Sequence, residues 1–187
     1  MAQCAWADSG NALMRTYHDT EWGTPCHDSR KLFELLSLEI MQAGLSWQTV
    51  LNKRAAMREA FADFDVHRVA QLDTQFEDLM ANAGIIRNRR KINAIIHNAT
   101  VVEDLENAGQ SLDAYIWRFV DNTPIVHHIH DAEDLPNTID IAKKASTRMK
   151  ADGFRFAGPV VVYSFFQAAG LANDHEVNCW RYEELVK

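Results

Sequence analysis

The chain has 187 residues, 47% apolar and 24% charged, with a formal charge of −7 and a pI near 5.6. That is enough for one domain, or two small lobes sharing a cleft, around a sizeable core. No run of about 18 apolar residues occurs, which excludes a membrane span. The first residues lack a basic stretch leading into an apolar one, so no secretory signal is read and the expected location is cytoplasmic. The acidic balance excludes a protein coated in basic residues, but nucleic acid needs only a local basic patch. Three cysteines, Cys4, Cys26 and Cys179, make no even disulfide set and suit a reducing compartment.

In chain order, residues 1–28 hold two Trp, a Tyr, two His and two Cys with little periodicity, including Tyr17-His18-Asp19-Thr20-Glu21-Trp22-Gly23. They read as an irregular cap over a core. The first clear helix spans about Ser29 to Gln42, with Asp28 or Ser29 as its cap and Gly44 as its terminator. Leu32, Leu35, Leu36 and Ala43 share a helical face with Glu39, which puts a carboxylate on an apolar stripe. Such a group is costly unless it is paired or hydrogen-bonded.

Ser46 caps a second helix reaching about Ala62. A short helix follows near Val66–Leu72, and Thr74 to Glu77 reads as a capping box opening another that Gly84 closes. A long helix runs from Asn88 to Glu106 or Asn107, and Ser111 opens one more. Residues 121–137, with Pro124, Pro136 and three His, read as an irregular connection. A helix from about Thr138 to Ala151 stops before Gly153. Pro159, in the first turn, restarts one through Ala169. A last helix is expected to carry His175 to Tyr182. The apolar run Val160 to Tyr163 is long enough in context to favour a buried helix over a strand, so the fold class expected is all-α.

Three groups of residues could carry chemistry. If helical, His175 and Cys179 share a face, and Cys4 and His18 supply a second Cys/His pair. Four such ligands close a tetrahedral shell, which makes a structural metal site; the other reading is buried thiols and His without metal. Gly153-Phe154-Arg155-Phe156-Ala157-Gly158 lies between two helices, where a close backbone approach and a helix N-terminus can receive a phosphate. Lys143, Lys144, Arg148, Lys150 and Arg155 gather there, and Arg87, Arg89, Arg90 and Lys91 form a second basic group. An ordinary helix–turn–helix corner with a solvated charged face accounts for the same pattern. Finally, Tyr17, Trp22 and Trp47 could sandwich a flat ring while Glu39 accepts hydrogen bonds from it, or all four could be core and cap.

Taken together, these motifs resemble the DNA-3-methyladenine glycosylase I family of the helix-hairpin-helix DNA glycosylase superfamily. The resemblance covers essentially the whole chain: Cys4-Ala5-Trp6, Tyr17 to Gly23, Leu32-Phe33-Glu34, Glu39, Gln42 to Trp47, Gly84 to Arg87, Lys91-Ile92, Gly153 to Gly158, Tyr163-Ser164-Phe165, Gln167-Ala168, Gly170-Leu171 and Asn173-Asp174-His175. It implies a single glycosylase unit over residues 1–187, two helical lobes about a base-binding cleft. A structural Zn²⁺ on Cys4, His18, His175 and Cys179 would join the two ends of the chain.

It also implies that Glu39 is the catalytic-site carboxylate and, with Tyr17, Trp22 and Trp47, holds an extruded base. Gly44 and Leu45 would fill the gap the base leaves, while Gly153, Phe154, Arg155 and Gly158 meet the DNA backbone. Ile40, Met41 and Met14 depart from relatives and bear on pocket shape. Asn173 stands where most of the superfamily carries a catalytic Asp, with Asp174 a minor candidate for positioning water. No Schiff-base Lys is placed, which implies a monofunctional enzyme.

The activity implied is release of 3-methyladenine from alkylated double-stranded DNA by a monomer with no membrane association. A broader alkyl-purine glycosylase and a non-catalytic zinc-stapled DNA-binding module are the competing expectations.

Overall fold

The computed structural model describes residues 2–8 and 11–186, and among these the chain is mainly helical. Two short helices, α1 (Ala5–Asp8) and α2 (Ala12–Thr20), occupy the segment whose sequence looked irregular. Asn11 caps α2 by accepting from the amides of Leu13 and Met14. Its periodicity is hidden because one face turns Tyr17 and His18 inward while the remainder is solvated.

Helix α3 (Ser29–Gln42) is the axis of the molecule. Asp28 accepts from the amide of Lys31 to start it. Every residue from Leu32 to Met41 is buried, so beyond its first turn the expected stripe is a helix enclosed on all sides. It packs against α4 (Trp47–Ala60), α7 (Arg89–Asn107), α8 (Leu112–Trp117) and α10 (Pro159–Ala168). Between α4 and α7 lie the short α5 (Val66–Val69) and α6 (Phe76–Ala81), and α9 (Asp140–Ala151) lies beside α10. The capping box at Thr74 does not form. A 3₁₀ turn over Leu72–Gln75 already occupies that backbone, and Glu77 reaches Arg89 instead.

Two further expectations fail for one reason. Ile125–Val126 and Ala172–Asn173 pair as two short parallel strands, β1 and β2, and Ile129 bridges Glu176 beyond them. The fold is therefore not purely α. The pairing also holds His175 to Cys179 in extended and turn backbone, so the final helix, α11 (Trp180–Val186), starts only after Cys179. The irregular connection of residues 121–137 is thereby laid along the chain near the C-terminus. The ends meet as well: Trp180 N donates to Ala2 O at 3.1 Å, and the amide of Ala5 to Glu176 Oε1 at 2.8 Å. No helix among the described residues is long and apolar enough to cross a membrane.

Candidate active site

Glu39 lies in the last turn of α3, 5% exposed, with no hydrogen bond to its carboxylate among the described residues. Burial alone raises its pKa from 4.5 to about 8, because no cation or donor offsets the lost hydration. An acid left in this condition, unlike the ion-paired Glu34 on the same helix, makes this a candidate ligand site.

The space before it is a cavity of about 290 Å³ lined by Trp6, Met14, Tyr17, Trp22, Glu39, Gln42, Trp47, Leu135, Ser164 and Gln167. The sequence-derived residues Tyr17, Trp22, Trp47 and Glu39 are all brought together in it. Tyr17 and Trp47 stand with ring centroids 5.1 Å apart, tilted by 48°, and Trp6 meets Trp22 edge-on at 5.1 Å. The Tyr17 hydroxyl and the Trp47 indole N–H are shielded from solvent and have no hydrogen-bond partner among the described residues.

Sequence reasoning missed the roles of Gln42, Ser164 and Gln167. Helical spacing could have found them: Gln42 is one turn beyond Glu39, and Ser164 and Gln167 are three apart on α10. Leu135 comes from the irregular connection and carries no local signal. Met14 does line the cavity, whereas Ile40 and Met41 are buried in the core and do not.

The wall carrying Tyr17 is anchored by charge. Glu21, just past α2, takes both Arg54 guanidinium ends at 2.8 Å and Lys31 at 2.7 Å; Glu34 takes Arg54 at 2.8 Å and Arg58 at 2.6 Å. Despite burial, these cations hold Glu34 down at about 2 and Glu21 below its ordinary value. Such a satisfied network fixes α2 to α3 and α4 geometrically.

Behind the pocket lies the Cys/His group. Cys4 Sγ is 3.4 Å from His175 Nδ1, and Cys179 Sγ is 3.5 Å from His18 Nε2 and 3.7 Å from His175 Nδ1. All four residues are buried and their donor atoms lie within 4.8 Å of one another, so the group could hold a metal ion. The helical face expected for His175 and Cys179 is absent; the turn beyond β2 supplies the convergence instead. The second ring nitrogens are engaged, His18 Nδ1 with Asp19 at 2.7 Å and His175 Nε2 with the Trp22 carbonyl at 3.1 Å. Gly23 is required beside them: its φ is +75°, and a Cβ there would lie 2.8 Å from His175 Nε2.

At the pocket rim α3 ends in a turn with Gly44 at φ +79° and Leu45 41% exposed. The turn of residues 153–158 joins α9 to α10 and brings Arg155 beside Arg90 of α7 in a groove shared with Asn93, Ala94 and Phe156. Two sequence expectations need correction here. Lys91 does not belong to the basic surface: it is 5% exposed, and its Nζ donates to the carbonyls of Met41 at 2.9 Å and Ala43 at 2.5 Å. The Phe154 ring is also buried, stacked on Tyr115, and its amide is already bonded to Met149, so neither faces outward.

Asp174 is buried and receives Tyr163 Oη at 2.5 Å and Gln167 Nε2 at 2.7 Å, with His127 Nδ1 at 2.5 Å. Asn173 is buried as well and caps the amide of His175. Both positions are used by the fold.

The mainly helical chain thus carries a ring-lined pocket, a buried carboxylate unpaired among the described residues, and an exposed arginine pair, Arg90 and Arg155, in a separate groove. The sequence profile of the methyladenine glycosylase family matches residues 6–182, and the chain belongs to that family. DNA-3-methyladenine glycosylase 1 of Escherichia coli (strain K12) is 43% identical over 183 residues, covering 97% of each chain. A crystal structure of 3-methyladenine DNA glycosylase I, at 43% identity, superposes with a TM-score of 0.92 over 96% of this chain and 98% of its own. A substituted 3-methyladenine DNA glycosylase I in complex with 3-methyladenine, at 38% identity, does so at 0.91 over 96% and 97%.

Proposed function

We propose that this chain is a monofunctional DNA glycosylase that hydrolyses the N-glycosidic bond of 3-methyladenine in alkylated double-stranded DNA, releasing the base and leaving an abasic site. The observation that carries this is Glu39: a carboxyl without a counter-charge, raised to about 8, inside a cavity walled by aromatic rings. Methylation at N3 makes the base cationic and its glycosidic bond weak. At pH 7 ionising Glu39 costs about 1.4 kcal/mol, whereas a cation at about 4 Å returns on the order of 4 kcal/mol at an effective dielectric of 20. A methylated base therefore creates its own carboxylate partner, and the ring faces add cation–π attraction. Unmodified adenine brings no charge and leaves Glu39 protonated.

In the reaction, water oxygen bonds to the sugar C1′ as the bond from C1′ to the base nitrogen breaks. The electron pair goes to the base and cancels its charge, and the proton of the attacking water passes to solvent. Glu39 serves here to select and hold the base. In this reading Tyr17, Trp22 and Trp47 orient it, supported by a Tyr17 Oη and a Trp47 Nε1 that have no partner among the described residues and so can hydrogen-bond its edge. Base extrusion is the expected entry route, since the reacting bond is inaccessible within a stacked duplex. Leu45 occupies the vacated space, and the turn of residues 153–158 serves as a helix-hairpin-helix, with Gly153, Arg155 and Gly158 at the phosphates.

The Cys/His group suits Zn²⁺. Bonds of about 2.3 Å to sulfur and 2.0–2.1 Å to nitrogen in a tetrahedron place S and N about 3.6 Å apart; the separations here are 3.4, 3.5 and 3.7 Å. The engaged second ring nitrogens of His18 and His175 are those a metal site uses to orient its ligands. Four protein donors leave no open position, so zinc would staple the two ends of a single unit, whose two lobes flank the base cleft, and take no part in the chemistry. The enzyme acts as a cytoplasmic monomer in this reading.

Base release from methylated duplex DNA tests the proposal. Free 3-methyladenine, an alkali-labile abasic site and no strand cleavage without alkali are expected. Release of 7-methylguanine at a comparable rate would overturn the narrow specificity, and binding with no release at any protein concentration would overturn the enzyme.

A further inference from the structure

Lys91 is an unusual residue to find inside a protein without a carboxylate. Its ammonium bridges Met41 O and Ala43 O, among the last carbonyls of α3 and its end, which would otherwise be unpaired. Those carbonyls sit directly before Gly44 and Leu45, and two and four residues after Glu39. A charge-assisted contact to two backbone oxygens fixes the path of the turn as no surface lysine could.

About two turns further along α7, His97 Nε2 lies 3.0 Å from Gly153 O. Asn98 clasps Arg155 on both sides: its Oδ1 accepts from Arg155 N at 2.7 Å and its Nδ2 donates to Arg155 O at 3.0 Å. From beneath, Ser146 Oγ donates to Ala157 O at 2.6 Å. Alternate carbonyls of the turn at residues 153–157 are thus tied down from the protein side. A rigid helix with a rise of about 1.5 Å per residue separates the two sets of ties by roughly 10 Å.

We infer that α7 holds the Leu45 turn and the turn at residues 153–158 at a set spacing through Lys91 and Asn98, which are positioning residues for engaging a distorted duplex. Neither touches the base pocket, and neither needs to touch DNA. The inference deepens the proposed function and rests on it. Its consequence is specific: loosening either tie weakens duplex binding while leaving the affinity for the free base alone.

The test compares Lys91→Met, Lys91→Arg and Asn98→Leu with the natural protein, using three readouts. The first is affinity for free 3-methyladenine by tryptophan fluorescence. The second is affinity for a duplex with an abasic-site analogue across a salt series. The third is hydrogen exchange of the backbone over residues 43–47. Lys91→Met, which removes two charge-assisted hydrogen bonds, and Asn98→Leu, which removes two part-buried ones, are each expected to lose roughly tenfold or more in duplex affinity. Base affinity should stay within about twofold, and Lys91→Met should speed exchange at residues 43–47. Lys91→Arg, which can still bridge two carbonyls, should recover most of both effects.

A positioning role leaves the salt slope unchanged, whereas a direct phosphate contact lowers it by about one. Unaltered duplex affinity, a parallel loss of base affinity, or a reduced salt slope would each overturn the inference. If Lys91→Met fails to fold, Asn98→Leu decides through the same duplex and base comparison. If the natural protein neither releases nor binds 3-methyladenine, the functional reading fails separately, and exchange over residues 43–47 still decides whether Lys91 orders the turn.

Discussion

The ring of Trp22 stands edge-on to the imidazole of His175, centroids 4.6 Å apart and planes at 74°, so one indole is both a wall of the ring-lined cavity and a wall of the Cys/His group. The backbone repeats the connection, since the Trp22 carbonyl meets His175 Nε2. The ring-lined pocket and the Cys/His group are therefore adjacent in space, Trp22 coming from near the N-terminus and His175 from near the C-terminus.

Cys179→Ala should cost stability first. The Cys179 sulfur lies 3.5 Å from His18 Nε2 and 3.7 Å from His175 Nδ1, so it faces both imidazoles of the group. Losing it is expected to reduce bound zinc below half and lower the melting temperature by on the order of 10 °C, given about 2–4 °C per kcal/mol for a chain of this size. The ratio of 3-methyladenine to other bases released should hardly move. Zinc analysis with thermal denaturation checks this, and full zinc content in the variant would contradict the ligand set.

Glu39→Gln should separate stability from recognition by pH. A carboxyl raised from 4.5 to about 8 on folding contributes its full stability below pH 4.5 and loses it as pH rises to 8, up to about 5 kcal/mol. The variant has no such loss. Its melting temperature relative to the natural protein should therefore climb between pH 5 and pH 8, by roughly 10 °C. Over the same range its affinity for a cationic methylated base should be about tenfold or more weaker, the worth of a charged hydrogen bond. A flat difference in melting temperature across pH would remove the case for an unpaired buried acid.

Tyr17→Phe is expected to leave the free protein as stable or up to about 1 kcal/mol more stable, because the hydroxyl is buried without a partner among the described residues. Binding of 3-methyladenine should weaken by a factor of about 3 to 10, the range for one neutral hydrogen bond. Calorimetric melting and base titration together decide it; a clear loss of stability would mean that the hydroxyl already has a partner.

Asp174→Asn distinguishes a structural acid from a catalytic one. Tyr163 and Gln167 donate to its carboxylate and His127 adjoins it, so an amide in its place turns one acceptor into a donor facing donors. A loss of about 2–4 kcal/mol in stability is expected. The rate of excision per folded molecule should fall by less than about tenfold. A loss of a thousandfold with stability intact would make Asp174 the group that positions water.

Much of this was readable from residue order because local rules govern it. Asp28, Ser46, Asn88 and Ser111 start the helices they were expected to start, since an N-cap depends on the side chain and the next three amides. Pro159 opens α10 for the same local reason. The misplaced acid at Glu39 and the Cys/His pairs were visible as residue types out of keeping with their surroundings.

What long-range contact decided could not be seen in this way. The strand pair β1–β2 is two residues long and forms only because distant segments meet, and it replaces the helix expected at His175. Lys91 reads as one of four neighbouring cations, and only the approach of α3 turns it inward. The pKa of Glu39 follows from which groups fail to reach it, a property of the packed molecule. Residue order alone set the longer helices from α3 to α10, the caps at Asp28, Ser46, Asn88 and Ser111, and the residue types available to the site. Tertiary structure decided which of those groups meet and which are left unpaired, because desolvation and hydrogen-bond satisfaction depend on distances that no local pattern encodes.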